Sequence, residues 1–180
     1  MEINSAGDVV LTDPAVMRAL ADSGRLTLHD HLRHAGPSSV AELAEGLDSD
    51  AADVETSLDL LEKAGLVEQE GARWSVVGKG VYFEIPDDPE GQQAARQLSN
   101  TMLLQYVDLP RRWVAESEPQ LTPEWARAAG LFNARLSLTA HELCEVQERL
   151  EELLEPYLAR DAPPGGADTV RILAYFLPQG

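Results

Sequence analysis

Hydrophobic positions recur at helical spacing along the chain as far as Gly65, then at strand spacing from Leu66. Asp13-Pro14 reads as a helix start, with Asp as N-cap and Pro at the first helical position, and Val16, Met17 and Leu20 form its apolar stripe. The spacing therefore predicts a first helix over about 13–22. A second is predicted over 23–35, with Leu26, Leu28 and Leu32 inward, stopping at Gly36-Pro37. Ser39, with Glu42 three residues on, forms a capping box for a short third helix over 40–46. After a turn at Leu47-Asp-Ser-Asp, Val54, Leu58 and Leu61 mark a fourth helix over 51–63, which Gly65 ends. From Leu66 to Val77 the period falls to two, predicting two short strands around a turn at Glu70-Gly71-Ala72.

Residues 81–90 read as a linker that ends on Asp87 or Asp88. A long helical segment over 89–117 follows, interrupted or kinked at Pro110. Its apolar face is Leu98, Met102, Leu103, Tyr106 and Val107. The loose alternation of 131–138 predicts a strand. Thr139 and Glu142 make a second capping box, opening a helix whose Leu143, Val146, Leu150, Leu153 and Tyr157 form a short heptad seam. Pro163-Pro-Gly-Gly is a loop, and 169–177, rich in Val, Ile, Tyr and Phe, predicts a closing strand. The fold class expected is mainly α with small β (α+β), divided at 1–85 and 86–180.

Helices, the last two joined by a tight turn, followed by a β-hairpin are the order of a winged helix-turn-helix. Within the first half, Arg18-Ala-Leu-Ala-Asp-Ser-Gly-Arg-Leu, Gly36-Pro-Ser-Ser-Val-Ala-Glu-Leu-Ala and Val54-x3-Leu58-x2-Leu61-x2-Ala64-Gly-Leu-Val carry a resemblance to winged-helix regulators of the arsenical-resistance-repressor (ArsR) type. The second half is similar to a subgroup with an added strand–helix–strand, opening at Leu136-Ser-Leu-Thr-Ala-His-Glu-Leu and closing at Val170-Arg-Ile-Leu-Ala-Tyr-Phe-Leu-Pro. The resemblance implies a homodimeric transcription regulator on a palindromic operator, with fourth helices in successive major grooves and wings on the flanking backbone. The region 86–180 is then the dimerisation and effector part.

Charge opposes that expectation. Fourteen Lys and Arg stand against thirty-one Asp and Glu, a net charge of −17. Affinity for DNA comes largely from cations that neutralise phosphates. Between Ser39 and Leu66, Lys63 is the one cation against eight acids. The candidate DNA-binding residues are Ser49, Thr56, Ser57 and Lys63 around the fourth helix, with Arg73 in the wing and Lys79 after it. The alternative is a degenerate winged helix that no longer binds DNA and serves as a protein-interaction or small-molecule-sensing module.

Further constellations bear on function more weakly. His29, Asp30, His31 and His34 form a cluster that suits either a metal or a helix C-terminus favourable to cations, and no metal or cofactor is assigned. Tyr106, Trp113, Trp125 and Phe132 line either an effector pocket or a small core. The one cysteine, Cys144, reads as a small buried hydrophobe, with redox sensing the alternative. No G-x-S-x-G, G-x-x-x-x-G-K, H-E-x-x-H or paired C-x-x-C occurs, so no enzyme is expected. One cysteine, no membrane-spanning apolar run and no secretory signal after Met1 predict a cytoplasmic protein.

Overall fold

A computed structural model describes residues 1–4, 7–83, 85–160 and 162–179. The first four helices form where capping chemistry and apolar spacing place them. Asp13 accepts from the Ala15 amide at 2.7 Å and starts α1, Pro14–Leu20. Asp22 accepts from Arg25 N at 3.0 Å and starts α2, Ser23–Ala35, which ends at Gly36 with φ 76°. The Ser39–Glu42 capping box opens α3, Val40–Leu47, and Asp50 opens α4, Ala51–Lys63. Asp48, at φ 49°, turns the chain between α3 and α4; aspartate is among the few residues with a side chain that tolerate this region.

An antiparallel hairpin follows, β3 Val67–Glu70 and β4 Arg73–Val76, with Gln69 opposite Trp74 and Glu70 opposite Arg73. Ser38, just ahead of α3, joins its edge through two backbone hydrogen bonds with Trp74, of 2.9 and 2.8 Å. Met17, Leu20, Leu26, Leu28, Leu32, Leu43, Val54, Leu58, Leu61, Leu66, Val67 and Trp74 are buried in one core. Each buried Leu or Val contributes about 1.5–3 kcal/mol, so this cluster is the main stabilising term.

Two features here depart from the sequence pattern. Residues 81–83 are not linker: β5, Val81–Phe83, lies parallel to β2, Val9–Leu11, which pairs antiparallel with β1, Glu2–Ile3. Strands of two or three residues are too short to show a period, and the β2–β5 pairing spans some seventy residues. The long helix is also broken earlier than Pro110 suggests. Helix α5, Pro89–Tyr106, stops before Asp108, and Pro110 sits in the first turn of α6, Leu109–Arg112, where its missing N–H costs nothing. A π-helical turn, Trp113–Ser117, and a 3₁₀ turn, Glu118–Gln120, follow, then the short α7, Trp125–Ala128.

Helix α5 packs along α1 through Ala94, Ala95 and Leu98, all buried. Thr101 donates to the Ala21 carbonyl at 2.7 Å, and Arg18 pairs with Glu90 at 2.7 Å. Of the apolar face expected on this helix, Leu98 is buried, Met102 and Tyr106 are half-buried, and Leu103 and Val107 are exposed.

The chain divides into two compact units, 1–134 and 135–180. The second holds α8, Ala140–Leu158, opened by the Thr139–Glu142 capping box as its sequence predicts. No residue of α8 is buried. The strands expected at 131–138 and 169–177 are absent among the described residues: neither segment finds an edge to take up its N–H and C=O groups. Among those residues, no helix is long and apolar enough to cross a membrane.

Candidate nucleic-acid interface

The α3–turn–α4 pair and the hairpin place most of the predicted contact residues on the surface of the first unit. Thr56, Asp59 and Lys63 follow at i, i+3 and i+7, so they share one outward face of α4. Ser57 is half-buried at the edge of the packed face. Ser49 lies in the turn before α4. The hydroxyl protons of Ser49 and Thr56 are already committed, to the carbonyls of Leu47 at 3.1 Å and Ala52 at 2.8 Å. In this state both oxygens present lone pairs outward and act as acceptors, which suits a base amino group better than a phosphate.

Arg73 is exposed but tethered to the start of α3. Its Nε and Nη2 donate to the Pro37 carbonyl at 2.9 and 2.7 Å, and Nη2 lies 3.1 Å from Glu42. With the Ser38–Trp74 bridge, this contact clamps the hairpin to the beginning of α3. Glu42 has its carboxyl below the usual range because it accepts from the Ser39 amide and hydroxyl, with Arg73 adding a smaller attraction. Lys79 lies differently: its stem packs over Gly7, where a Cβ would come within 2.9 Å of Cδ, and its amide donates to the Gly7 carbonyl at 2.8 Å. The side chain is otherwise exposed.

Ion pairing decides which cations remain for a polyanion. Arg18, Arg25, Arg33 and Arg73 each stand within 4 Å of a carboxylate: Glu90, Asp22, Asp30 and Glu42 respectively. Lys63 and Lys79 have no ion-pair partner among the described residues. Asp50, Asp53, Glu55, Asp59 and Glu62 are exposed along α4. The outward face of α4 is acidic.

The histidine cluster is drawn apart by its packing. His29 turns into the core, 3% exposed, and burial, helped by Arg33, pushes its pKa down to about 4. The ring of His31 lies against Gly46, where a Cβ would approach it to 2.8 Å. His34 Nδ1 contacts the Asp30 carbonyl at 2.6 Å. Asp30 is the hub: burial raises its pKa, but hydrogen bonds from Tyr106 and Arg33 and the charges of Arg33 and His34 more than offset that and hold it low. Among the described residues no group of three His, Cys, Asp or Glu is placed to hold a metal.

The four aromatic candidates are dispersed too. The Tyr106 hydroxyl donates to Asp30 at 2.7 Å, tying α5 to α2. Trp113 and Trp125 are half-buried, and Phe132 is 93% exposed. None of them lines the groove of about 410 Å³ between the first strands and the end of α4, or that of about 490 Å³ along α5 and α6. Cys144 is exposed on α8 rather than buried, as no residue of that helix is buried. The Arg73–Pro37, Ser38–Trp74 and Asp30–Tyr106 contacts had no signal in the sequence, since each joins residues at least 36 positions apart.

A protein-family model described as HVO_A0114 matches residues 20–79, from the last residue of α1 to Lys79 after the hairpin. No curated protein matches the chain.

Proposed function

We propose that the chain is a DNA-binding transcription regulator of the ArsR type, a winged helix-turn-helix protein working as a homodimer on a palindromic operator. The observation that carries this is the α3–turn–α4 pair with the β3–β4 hairpin clamped to its start by Ser38 and Arg73. A rigid helix pair with a hairpin at its flank suits a reader of one major groove and the adjacent backbone. In this scheme α4 is the reading helix, Thr56 and Ser49 meet base edges, and Lys63 and Lys79 meet phosphates. Arg73 acts by positioning the hairpin.

The test is a titration of the protein against fluorescent DNA from its own upstream region and a scrambled control, at two salt concentrations. Sequence-dependent, salt-weakened binding is expected. Lys79→Ala should lower affinity on every sequence and reduce the salt slope by about 1, as for a single lost phosphate contact. Equal affinity for operator and scrambled DNA would sink the regulator.

One observation favours a second reading, an interaction module that docks a basic protein surface: the outward face of α4 has five acids and Lys63 as its one cation. That reading expects no binding to either DNA.

A further inference from the structure

We infer, resting on the DNA-binding reading above, that α4 reads base amino groups and that Glu55 selects a cytosine in each half-site. Helical geometry and exposure choose the residues. Val54, Leu58 and Leu61 are buried, so the opposite side of α4 is the one left to meet a ligand. That side carries Ala52, Glu55, Thr56 and Asp59, all exposed, the last three standing three, four and seven positions beyond the first. Ala52 offers only a methyl group. The polar groups of the patch are two carboxylates and one hydroxyl.

Every one of those groups accepts. Glu55 and Asp59 have no ion-pair partner among the described residues. Thr56 commits its one hydroxyl proton to the Ala52 carbonyl at 2.8 Å, and Ser49 in the preceding turn commits its own to Leu47 at 3.1 Å. Both then present lone pairs alone. The remaining hydroxyl, Ser57, is half-buried at the edge of the packed face. Between Asp48 and Glu62 there is no Arg, Lys, His, Asn, Gln or Trp, so no side-chain nitrogen there can donate. The major-groove edges of the four bases separate against such a patch. Guanine shows two acceptors, and thymine an acceptor beside a methyl, so neither has a proton to give. Adenine has an amino donor, but its N7 lone pair stands next to it and repels an approaching carboxylate. Cytosine presents its N4 amino group with no acceptor alongside. Glu55 is the residue placed to use it, because it lies in the first half of α4, where a reading helix meets base edges, and has the longest side chain of the patch. The same carboxylate disfavours guanine and thymine by setting acceptor against acceptor. Repulsion between α4 and phosphates weakens binding on every sequence alike, whereas the Glu55 contact is made on one base.

The test is a selection by the full-length protein from a pool of random DNA duplexes, followed by fluorescence anisotropy on the enriched sequence and its single base-pair variants. Wild type is expected to enrich a palindrome with a cytosine in each half-site, whose exchange for thymine lowers affinity by roughly tenfold to a hundredfold. Glu55→Ala should abolish that penalty. Glu55→Gln adds a donor amide, and should move the preference at that position from cytosine to adenine, whose N6 and N7 a glutamine meets together. Both variants should bind scrambled DNA more tightly than wild type, because one charge facing the phosphates is gone. Glu62→Ala, equally exposed on α4, should share that gain and leave the base preference unchanged. An unaltered base preference in both Glu55 variants, or enriched half-sites without a cytosine-to-thymine penalty, would overturn the cytosine reading and leave the regulator standing. A pool that yields no enriched sequence, from protein with intact helical circular dichroism, would overturn both together.

Discussion

Helices α4 and α8 are built from the same local instructions, yet they end in opposite environments. Each begins with a capping residue, Asp50 or Thr139, and each repeats apolar residues every three or four positions. In α4 that stripe is Val54, Leu58 and Leu61, all buried against α2, α3 and the start of the hairpin. In α8 the equivalent stripe has no buried member. An amphipathic pattern specifies a face to be covered and says nothing of the cover. The first unit supplies several elements for its own core, whereas the second has one long helix in forty-six residues, below the size at which a core usually suffices.

The sharpest way to break the contrast is a matched truncation. Leu58→Ala should cost about 2–5 kcal/mol of unfolding free energy, the usual range for a fully buried leucine. Leu153→Ala, measured at a concentration where the chain is monomeric, should cost under about 0.5 kcal/mol. Urea denaturation of both variants checks this, and equal losses would mean that α8 is covered within one chain.

Acid should strike the first unit through His29. Its folded pKa of about 4 lies below the ordinary 6.5, so the folded state favours the neutral ring. Stability from this group is fully present above pH 6.5 and declines as pH falls toward 4. By pH 4 the loss is about 3 kcal/mol, from 1.36 kcal/mol per pKa unit. His29→Leu should flatten the dependence of the urea midpoint on pH over that window. An unchanged profile in the variant would assign the acid sensitivity to other groups.

The smallest effect separates the two capping boxes. Ser39→Ala should lower global stability by about 1 kcal/mol, because α3 unfolds with the core. Thr139→Ala removes the two equivalent hydroxyl hydrogen bonds from α8, but should only fray that helix, seen as reduced amide protection over 140–144 with the global midpoint unchanged.

Much of the first unit was legible from residues close together in sequence. Caps at Asp13 and Ser39, the turn at 47–50, the stop at Gly36 and the alternation from Leu66 locate four helices and a hairpin to within a residue or two. The β1–β2–β5 sheet was not legible, since pairing Val9 with Val81 depends on a contact no local window contains. The candidate interface divides in the same way. The exposure of Thr56 and Lys63 follows from helical spacing, but the tether on Arg73 required Pro37 and Glu42 to be brought beside the hairpin.

What the chain determined by itself is therefore its helices, their caps, the hairpin and its strongly acidic charge, all set by neighbours within a few residues. Tertiary structure alone decided which cations are left unpaired, that His29 is buried while His34 is not, and that Tyr106 serves Asp30 rather than a pocket. It also decided that 131–138 and 169–177 do not pair as strands among the described residues. The physical reason is common to all of these. Helical hydrogen bonds close within four residues, whereas ion pairs, burial and strand ladders need a partner from elsewhere in the fold.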